Sequence, residues 1–437
     1  MKRNALTILI PILCIAVLLT GCALARTITS TLNSAASQTA EQTEIVTNAS
    51  ADAVTVPEDP DETTNDTTDP QTSDDGEASG AFSARDLSAE YDDETVTVQL
   101  TGSGAAVDSD KVSVTGSTVT ITGSGTYLIT GTLDNGSIIV DASKEDKVQL
   151  VLNGVSIHSD SYAAIYVKQA DKVFITLADG TRNALSNGGS FTQLDDSNVD
   201  AVVFARDDIT FNGTGSLTIT SPAGHGIVGK DEVTIIGGVY AITSAKCAVR
   251  ANDSIAVADG TFTLTAGTDG LHAENDEDDT LGNIYIAGGT FTIDANDDAV
   301  HANTLLQIDN GAFAITAAEG LEATYIQING GDISISASDD GVNATRKSSA
   351  YTPTVEITGG TLTIVMGAGD TDGVDANGNI IITGGTVDVT GQSTFDYDGT
   401  ATYTGGTVIV NGRQVSELPN QMMGGGMPGG MPGGGRG

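Results

Sequence analysis

Tryptophan is absent from the 437 residues and the other aromatics are few, so large rings cannot dominate the core. Positive charge is scarce as well: 18 Lys and Arg stand against 58 Asp and Glu, a formal net charge of -40. A surface of that sign repels phosphate, which argues against nucleic acid as a partner and leaves cations, or ligands bridged by cations, as the natural company. Cysteine is rare too. With Cys14 inside an apolar leader and Cys22 at its end, Cys247 is left without an intramolecular partner, so packing and backbone pairing must supply the stability a disulfide would give. Cys247 itself reads as a small buried side chain. No Ser-His-Asp arrangement, nucleotide loop or metalloprotease helix is visible.

What is present begins with an address. Lys2 and Arg3 precede the apolar run Ala5 to Leu19, and Leu19-Thr-Gly-Cys22 follows, the pattern of a lipoprotein signal peptide over residues 1–21 with Cys22 as the lipidated residue. Acylation there would hold the chain outside the cytoplasm, anchored to the cell membrane by lipid alone. Residues 22–84 are rich in Ser, Thr, Asp and Glu and read as a disordered tether. Residues 85–410 carry the folded domain, and residues 411–437 form a Gly- and Met-rich tail.

The domain repeats. Segments of the type Gly-Val-Asn-Ala start at Gly226, Ala248, Gly270, Ala299, Gly320, Gly341 and Gly373, with steps of 22, 22, 29, 21, 21 and 32 residues. Each unit adds an Ile-x-Ile run, a Gly-Gly, Asp-Gly or Asn-Gly corner and a Thr-Phe-Thr-Ile type run, all with the alternation of strands that have one face in and one face out. Three strands and three corners per unit predict an all-β fold, a right-handed single-stranded parallel β-helix of about 22 residues per coil, stacked coil on coil. One inward column is then Ile227, Val249, Leu271, Val300, Leu321, Val342 and Val374, and the next is Gly229, Ala251, Ala273, Ala302, Ala323, Ala344 and Ala376.

The repeat also stacks acids. Between Arg250 and Arg346 there is no Lys or Arg, and Asp269, Asp298, Glu319, Asp340 and Asp372 fall at one corner of successive coils. Coils lie about 4.8 Å apart, and like charges that close must protonate, separate or share a cation. Dense carboxylate oxygen suits Ca²⁺. Asp297, Asp339, Asp370 and Asp375, together with Asp276 and Asp278 in the insertion after Asp269, are the expected additional metal ligands. His272, His301, Glu322 and Asn343 fall in an outward column and are candidate ligand-binding residues, and the tyrosines 240, 285, 325 and 351 are candidate stacking surfaces for sugar rings. A lyase would need a base beside the ions, for which Lys230, Lys246 and Arg250 are the candidates.

Several phrases resemble a known group: Val148-Gln-Leu-Val-Leu-Asn-Gly154, Ala164-Ile-Tyr-Val-Lys168, Asp171 to Thr181, Gly226-Ile-Val-Gly-Lys-Asp231, Glu274 to Asp278 and Phe395 to Thr400. Together they resemble the secreted bacterial carbohydrate-binding domain family built on a pectate-lyase-like β-helix. The resemblance implies binding of cellulose-like or polygalacturonate-like polysaccharide with calcium, and carries the calcium role onto Asp269, Asp298, Asp340 and Asp372. This chain departs from the pattern at His225 and Cys247, where the family often shows Asp. The expected function is thus a monomeric cell-surface lipoprotein that binds polysaccharide through calcium. The alternatives are a calcium-dependent polysaccharide lyase acting on polyuronates and a structural spacer or adhesin.

Overall fold

A computed structural model describes residues 77–78, 81–91, 94–368 and 371–420. The signal peptide, Cys22 and the Gly- and Met-rich segment 421–437 lie outside the described residues, as does the tether apart from 77–78 and 81–84.

Short β-branched runs that alternate with Thr, Ser and Asp fold as strands whose faces differ in burial. In Thr290–Ala295 and Asp332–Ala337 every second side chain is buried and the others are exposed, the period-two pattern of a strand with one face on the core. Glycine makes the corners: Gly289 has φ +111°, and a Cβ there would lie 3.1 Å from Phe291 and 3.2 Å from the Gly260 carbonyl, so only glycine fits without strain.

Each strand pairs in parallel with its counterpart one repeat along. Val249 faces Leu271, Leu271 faces Val300, Val300 faces Leu321, Leu321 faces Val342 and Val342 faces Val374. The alanine column runs in the same register beside it, from Ala251 and Ala273 to Ala344 and Ala376. Another column stacks Tyr240, Phe262, Phe291 and Phe313, with ring centroids 5.1, 4.5 and 4.6 Å apart and nearly parallel planes. Tyr240 is fully buried in this stack, and its hydroxyl donates to the Gly237 carbonyl at 2.8 Å. It therefore cannot serve as the surface aromatic expected of it.

The global arrangement corrects the expectation of a single-stranded right-handed β-helix built from one uniform coil. Strand pairing resolves into two large, mainly parallel sheets of 13 and 25 strands. The physical reason lies in the early strands. Lys147–Ser159 runs for 13 residues without a break; its first part pairs with Lys172–Leu177 and its last with Arg182–Asn187. Two ladders that a uniform coil would keep as separate faces are thereby joined into one sheet. Antiparallel pairs add further departures near both ends: Val96–Gly102 with Ala105–Ala106, Val112–Thr115 with Thr118–Ile121, and Thr407–Val410 with Arg413–Val415. The last pair carries ordered chain past Val410.

Packing this tight predicts the cost of changing it. Ala302, fully buried in the alanine column, should destabilise the fold by about 1–3 kcal/mol when enlarged to Leu. Phe291→Ala, which opens the aromatic stack, should cost about 3–5 kcal/mol. Denaturant melts of the two variants beside the parent check both values, and unchanged midpoints would refute the packing described.

Candidate cation and carbohydrate site

The 13-stranded sheet carries the short strands of the repeat, and the corner leading into them places the acids. Register sets Asp298 opposite Glu319 and Asp372 opposite Ser393. The backbone then aims individual carboxylates: the Asp298 amide donates to Asp269 Oδ1 at 3.2 Å and the Asp372 amide to Asp340 Oδ1 at 3.1 Å. Towards the N-terminal end the same column holds Cys247, whose Sγ lies 3.3 Å from Asp269 Oδ2, and His225, whose Nδ1 accepts the Cys247 amide at 3.2 Å.

A second column runs three residues further along each repeat. Arg250, His272, His301, Glu322, Asn343, Asp375 and Asp396 follow one another in register. This is the column expected to meet ligand, but His301, Glu322 and Asn343 are buried and His272 nearly so. Their polar atoms turn to the acids. His272 Nδ1 is 2.8 Å from Asp269 Oδ2, His301 Nδ1 is 2.6 Å from Asp298 Oδ2 and 2.7 Å from Glu322 Oε2, and Asn343 Nδ2 donates to Glu319 Oε2 at 3.0 Å. Lys347 closes on Glu322 Oε1 at 2.9 Å. The two imidazoles stack at 4.6 Å.

Charge crowding marks the far half of the column. Burial raises Glu319 to about 8, helped by the charges of Glu322 and Asp298. Burial likewise raises Asp340 to about 6 and Asp375 to about 7, each with the neighbouring column acids adding to the rise. Near His301 the balance differs. Burial disfavours the imidazolium, but its hydrogen bonds to Asp298 and Glu322 outweigh that and raise it to about 10. Burial would raise Glu322, yet the bonds from His301 and Lys347 hold it below the usual carboxylate range.

Among the described residues, three oxygen-rich or mixed groupings are close enough to share an ion: Asp269 with Asp297 and Asp298, Asp298 with His301 and Glu322, and Cys247 with Asp269 and His272, the ligand atoms in each lying within 4.8 Å of one another. Asn343 Oδ1 is buried without a hydrogen-bond partner, as is one oxygen of Asp396. An unmatched buried oxygen is costly unless something positive meets it. Hard oxygen donors with such orphans fit a Ca²⁺-type cation.

Not every expected ligand joins the column. Asp276 and Asp278 lie in an exposed loop lining a polar cavity of about 470 Å³ with Lys230, Arg250 and Glu274, and Asp278 accepts the amide of Thr280 at 2.9 Å. Asp297 and Asp339 are exposed neighbours of the column. Asp370 lies outside the described residues. Of the basic residues, Lys246 is held by Asp200 at 2.7 Å and Arg250 by Glu274 at 3.4 Å, while the Lys230 ammonium lies 5.9 Å from the Phe204 ring centroid. Among the tyrosines, Tyr351 is exposed and packs at 5.3 Å against Tyr325, and the Tyr285 hydroxyl donates to Asp309 at 2.8 Å. Lys347 and Asp396 were not anticipated. Asp396 continues the second column by register beyond Asp375, a signal present in the spacing, whereas Lys347 comes from an insertion that the repeat does not describe.

The acids raised by the fold set a pH dependence. Glu319, Asp340 and Asp375 hold their protons in the fold to higher pH than in the unfolded chain, so their contribution is complete below about pH 4 and is lost as pH rises through about 6 to 8. His301, raised in the fold, adds stability below about pH 6.5 that is lost as pH rises through about 10. Metal-free protein should therefore melt at lower temperature at about pH 8.5 than at about pH 5, and Glu319→Gln should blunt the fall. Scanning calorimetry in chelator across that range checks the sign.

A family model described as carbohydrate-binding domain-containing protein matches residues 115–370 and 320–416. A carbohydrate-binding domain-containing protein of Acetivibrio thermocellus is 40% identical over 131 residues, which is 30% of this chain and 46% of that relative; the chain thus spans less than half the length of this curated relative. A solved structure, described as the polysaccharide lyase-like protein from C. thermocellum in a gadolinium derivative, is 32% identical, with a TM-score of 0.49 over 55% of this chain and 94% of the other. With well over half of its residues under the family model, the chain belongs to the carbohydrate-binding domain-containing protein family.

Proposed function

We propose that this chain binds polysaccharide of the acidic, polyuronate type through Ca²⁺ held along the carboxylate column. The observation that carries the proposal is the in-register stack of Asp269, Asp298, Glu319, Asp340 and Asp372, in which the charges of neighbouring acids add to the effect of burial at Glu319 and Asp340. Asp269 with Asp297 and Asp298 would hold one ion. Glu319, Asp340, Asp372 and Asp375, with the unmatched Asn343 Oδ1, would hold others, and Asp339 stands at the edge to receive a ligand. Bound calcium supplies positive charge and open coordination positions for sugar carboxylates and hydroxyls. Family membership supports the carbohydrate partner.

On the 25-stranded sheet, Tyr325 with the exposed Tyr351 packed against it offers apolar surface to a sugar face. His272, His301, Glu322 and Asn343 act in this reading as supports that orient the acids rather than as direct sugar contacts, because their polar atoms are engaged with the acids and with one another. Lipidation at Cys22 would hold the domain at the outer surface of the membrane, with the intervening chain giving it reach towards a glycan.

Polygalacturonate immobilised on beads should retain the protein in calcium and release it in chelator. In parallel, Asp298→Asn and Asp340→Asn should each lower calorimetric calcium affinity by about tenfold or more, since losing a direct charged ligand should cost no less than losing an outer-shell partner. Retention indifferent to chelator would defeat the calcium route, and no retention in either buffer would defeat the polyuronate assignment.

A further inference from the structure

We propose that Cys247, Asp269 and His272 form a second site, sharing Asp269 with the calcium grouping proposed above, for a borderline-soft transition-metal ion of the zinc class. Their Sγ, carboxylate and imidazole donors lie within 4.8 Å of one another. Cys247 Sγ is 3.3 Å and His272 Nδ1 2.8 Å from the same atom, Asp269 Oδ2. Three different donor types thus converge from two adjacent repeats and one corner. The convergence follows from register: Val249 faces Leu271, which brings Cys247 level with Asp269, and His272 follows three residues later.

The surroundings suit a metal-bound imidazole. His272 Nε2 is 3.1 Å from Glu274 Oε2, and Arg250 Nη2 is 3.4 Å from that same oxygen. A histidine that gives Nδ1 to a metal while donating its Nε2 proton to a carboxylate has its tautomer and ring plane set in advance. On the other side, the His225 ring accepts the Cys247 amide and fixes the backbone that presents the thiol. Cys247 and Asp269 are buried, at 3% and 6% exposure, which keeps competing water off the thiol. Arg250 and Glu274, the pair that meets at His272 Nε2, line a polar cavity on that flank.

The chemistry separates this site from the rest of the column. Asp298, Glu319, Asp340 and Asp372 occupy the equivalent position in later repeats and offer only oxygen, the donor calcium takes. Cysteine replaces that oxygen with sulfur, which calcium does not favour and zinc-class ions do. Three protein donors leave a fourth tetrahedral position for water. Metal uptake forms the S–metal bond as the thiol proton leaves to solvent, so binding releases a proton.

The test uses Co²⁺ as a spectroscopic probe on the full chain, with calcium present. A thiolate-to-cobalt charge-transfer band in the near ultraviolet with visible d–d bands is expected, and Zn²⁺ should bleach both. Cys247→Ser should remove the charge-transfer band while circular dichroism stays that of the parent. Glu274→Gln, which leaves every direct ligand in place, should lower Zn²⁺ affinity by about tenfold. Absence of the band in the parent, its survival in Cys247→Ser, or equal Zn²⁺ affinity in parent and Cys247→Ser would overturn the proposal. Calcium-dependent retention on polygalacturonate is a separate readout that does not involve the thiol, so failure of the calcium reading and failure of this one are told apart.

Discussion

Parallel pairing in register is the constraint on which the rest of the molecule depends. Because each strand lies beside its counterpart one repeat along, each paired residue is placed about 4.8 Å from its equivalent in the next repeat, and in the apolar and acidic columns that equivalent is of similar kind. Apolar side chains gain from this. The stack of Tyr240, Phe262, Phe291 and Phe313, with centroid separations down to 4.5 Å, and the columns of Ile, Val and Leu beside it bury nearly all their surface. Carboxylates lose from it, since the same geometry sets charge upon charge. The apolar columns hold the backbone so firmly that the acidic column cannot relax by moving apart, and proton uptake or a bound cation is what remains.

Much of the repeat was legible before any coordinates. The Val/Leu column, the alanine column and the acidic column all follow from spacing, because a period near 22 residues translates directly into register. The partition into sheets did not follow. Asn153-Gly154 has the composition of a corner, and Gly154 does have φ +73°, yet the strand continues through it. The amides of Gly154 and Val155 both donate to Asn183 Oδ1 at 3.0 Å, so a side chain from a neighbouring strand satisfies the backbone and the chain never turns away. That substitution joins two ladders into one sheet, and no local composition signals it.

The site shows the same division between what a repeat encodes and what insertions add. Positions along each column were readable; their burial was not, because cover comes from irregular segments. Lys347, just after Thr345, reaches Glu322, and the insertion containing Glu274 meets His272. Tyr240 is a different case. Its register with Phe262 places it inward, and a reading by column rather than by residue type would have found it.

The column is not electrically uniform, and the difference locates the demand for external charge. In its first half, His272 and His301 stand beside Asp269 and Asp298, and the imidazolium of His301 with the ammonium of Lys347 offsets Glu322. In its second half, among the described residues, no basic group stands in the second column beyond Asn343: the sequence there runs Asp375 and Asp396. Burial, with the charges of neighbouring acids adding to it, raises proton affinity at Glu319, Asp340 and Asp375, and it raises Asp298 in the first half as well, against the opposing pull of His301. A divalent ion competes for the same oxygens and neutralises two charges at once, so its advantage over protons grows with pH as the unbound acids become harder to hold together. In the reading proposed here, the same stacking that makes the second half acidic would make it receptive to hard cations, while the imidazoles and the thiol of the first half would shift its preference towards softer ones.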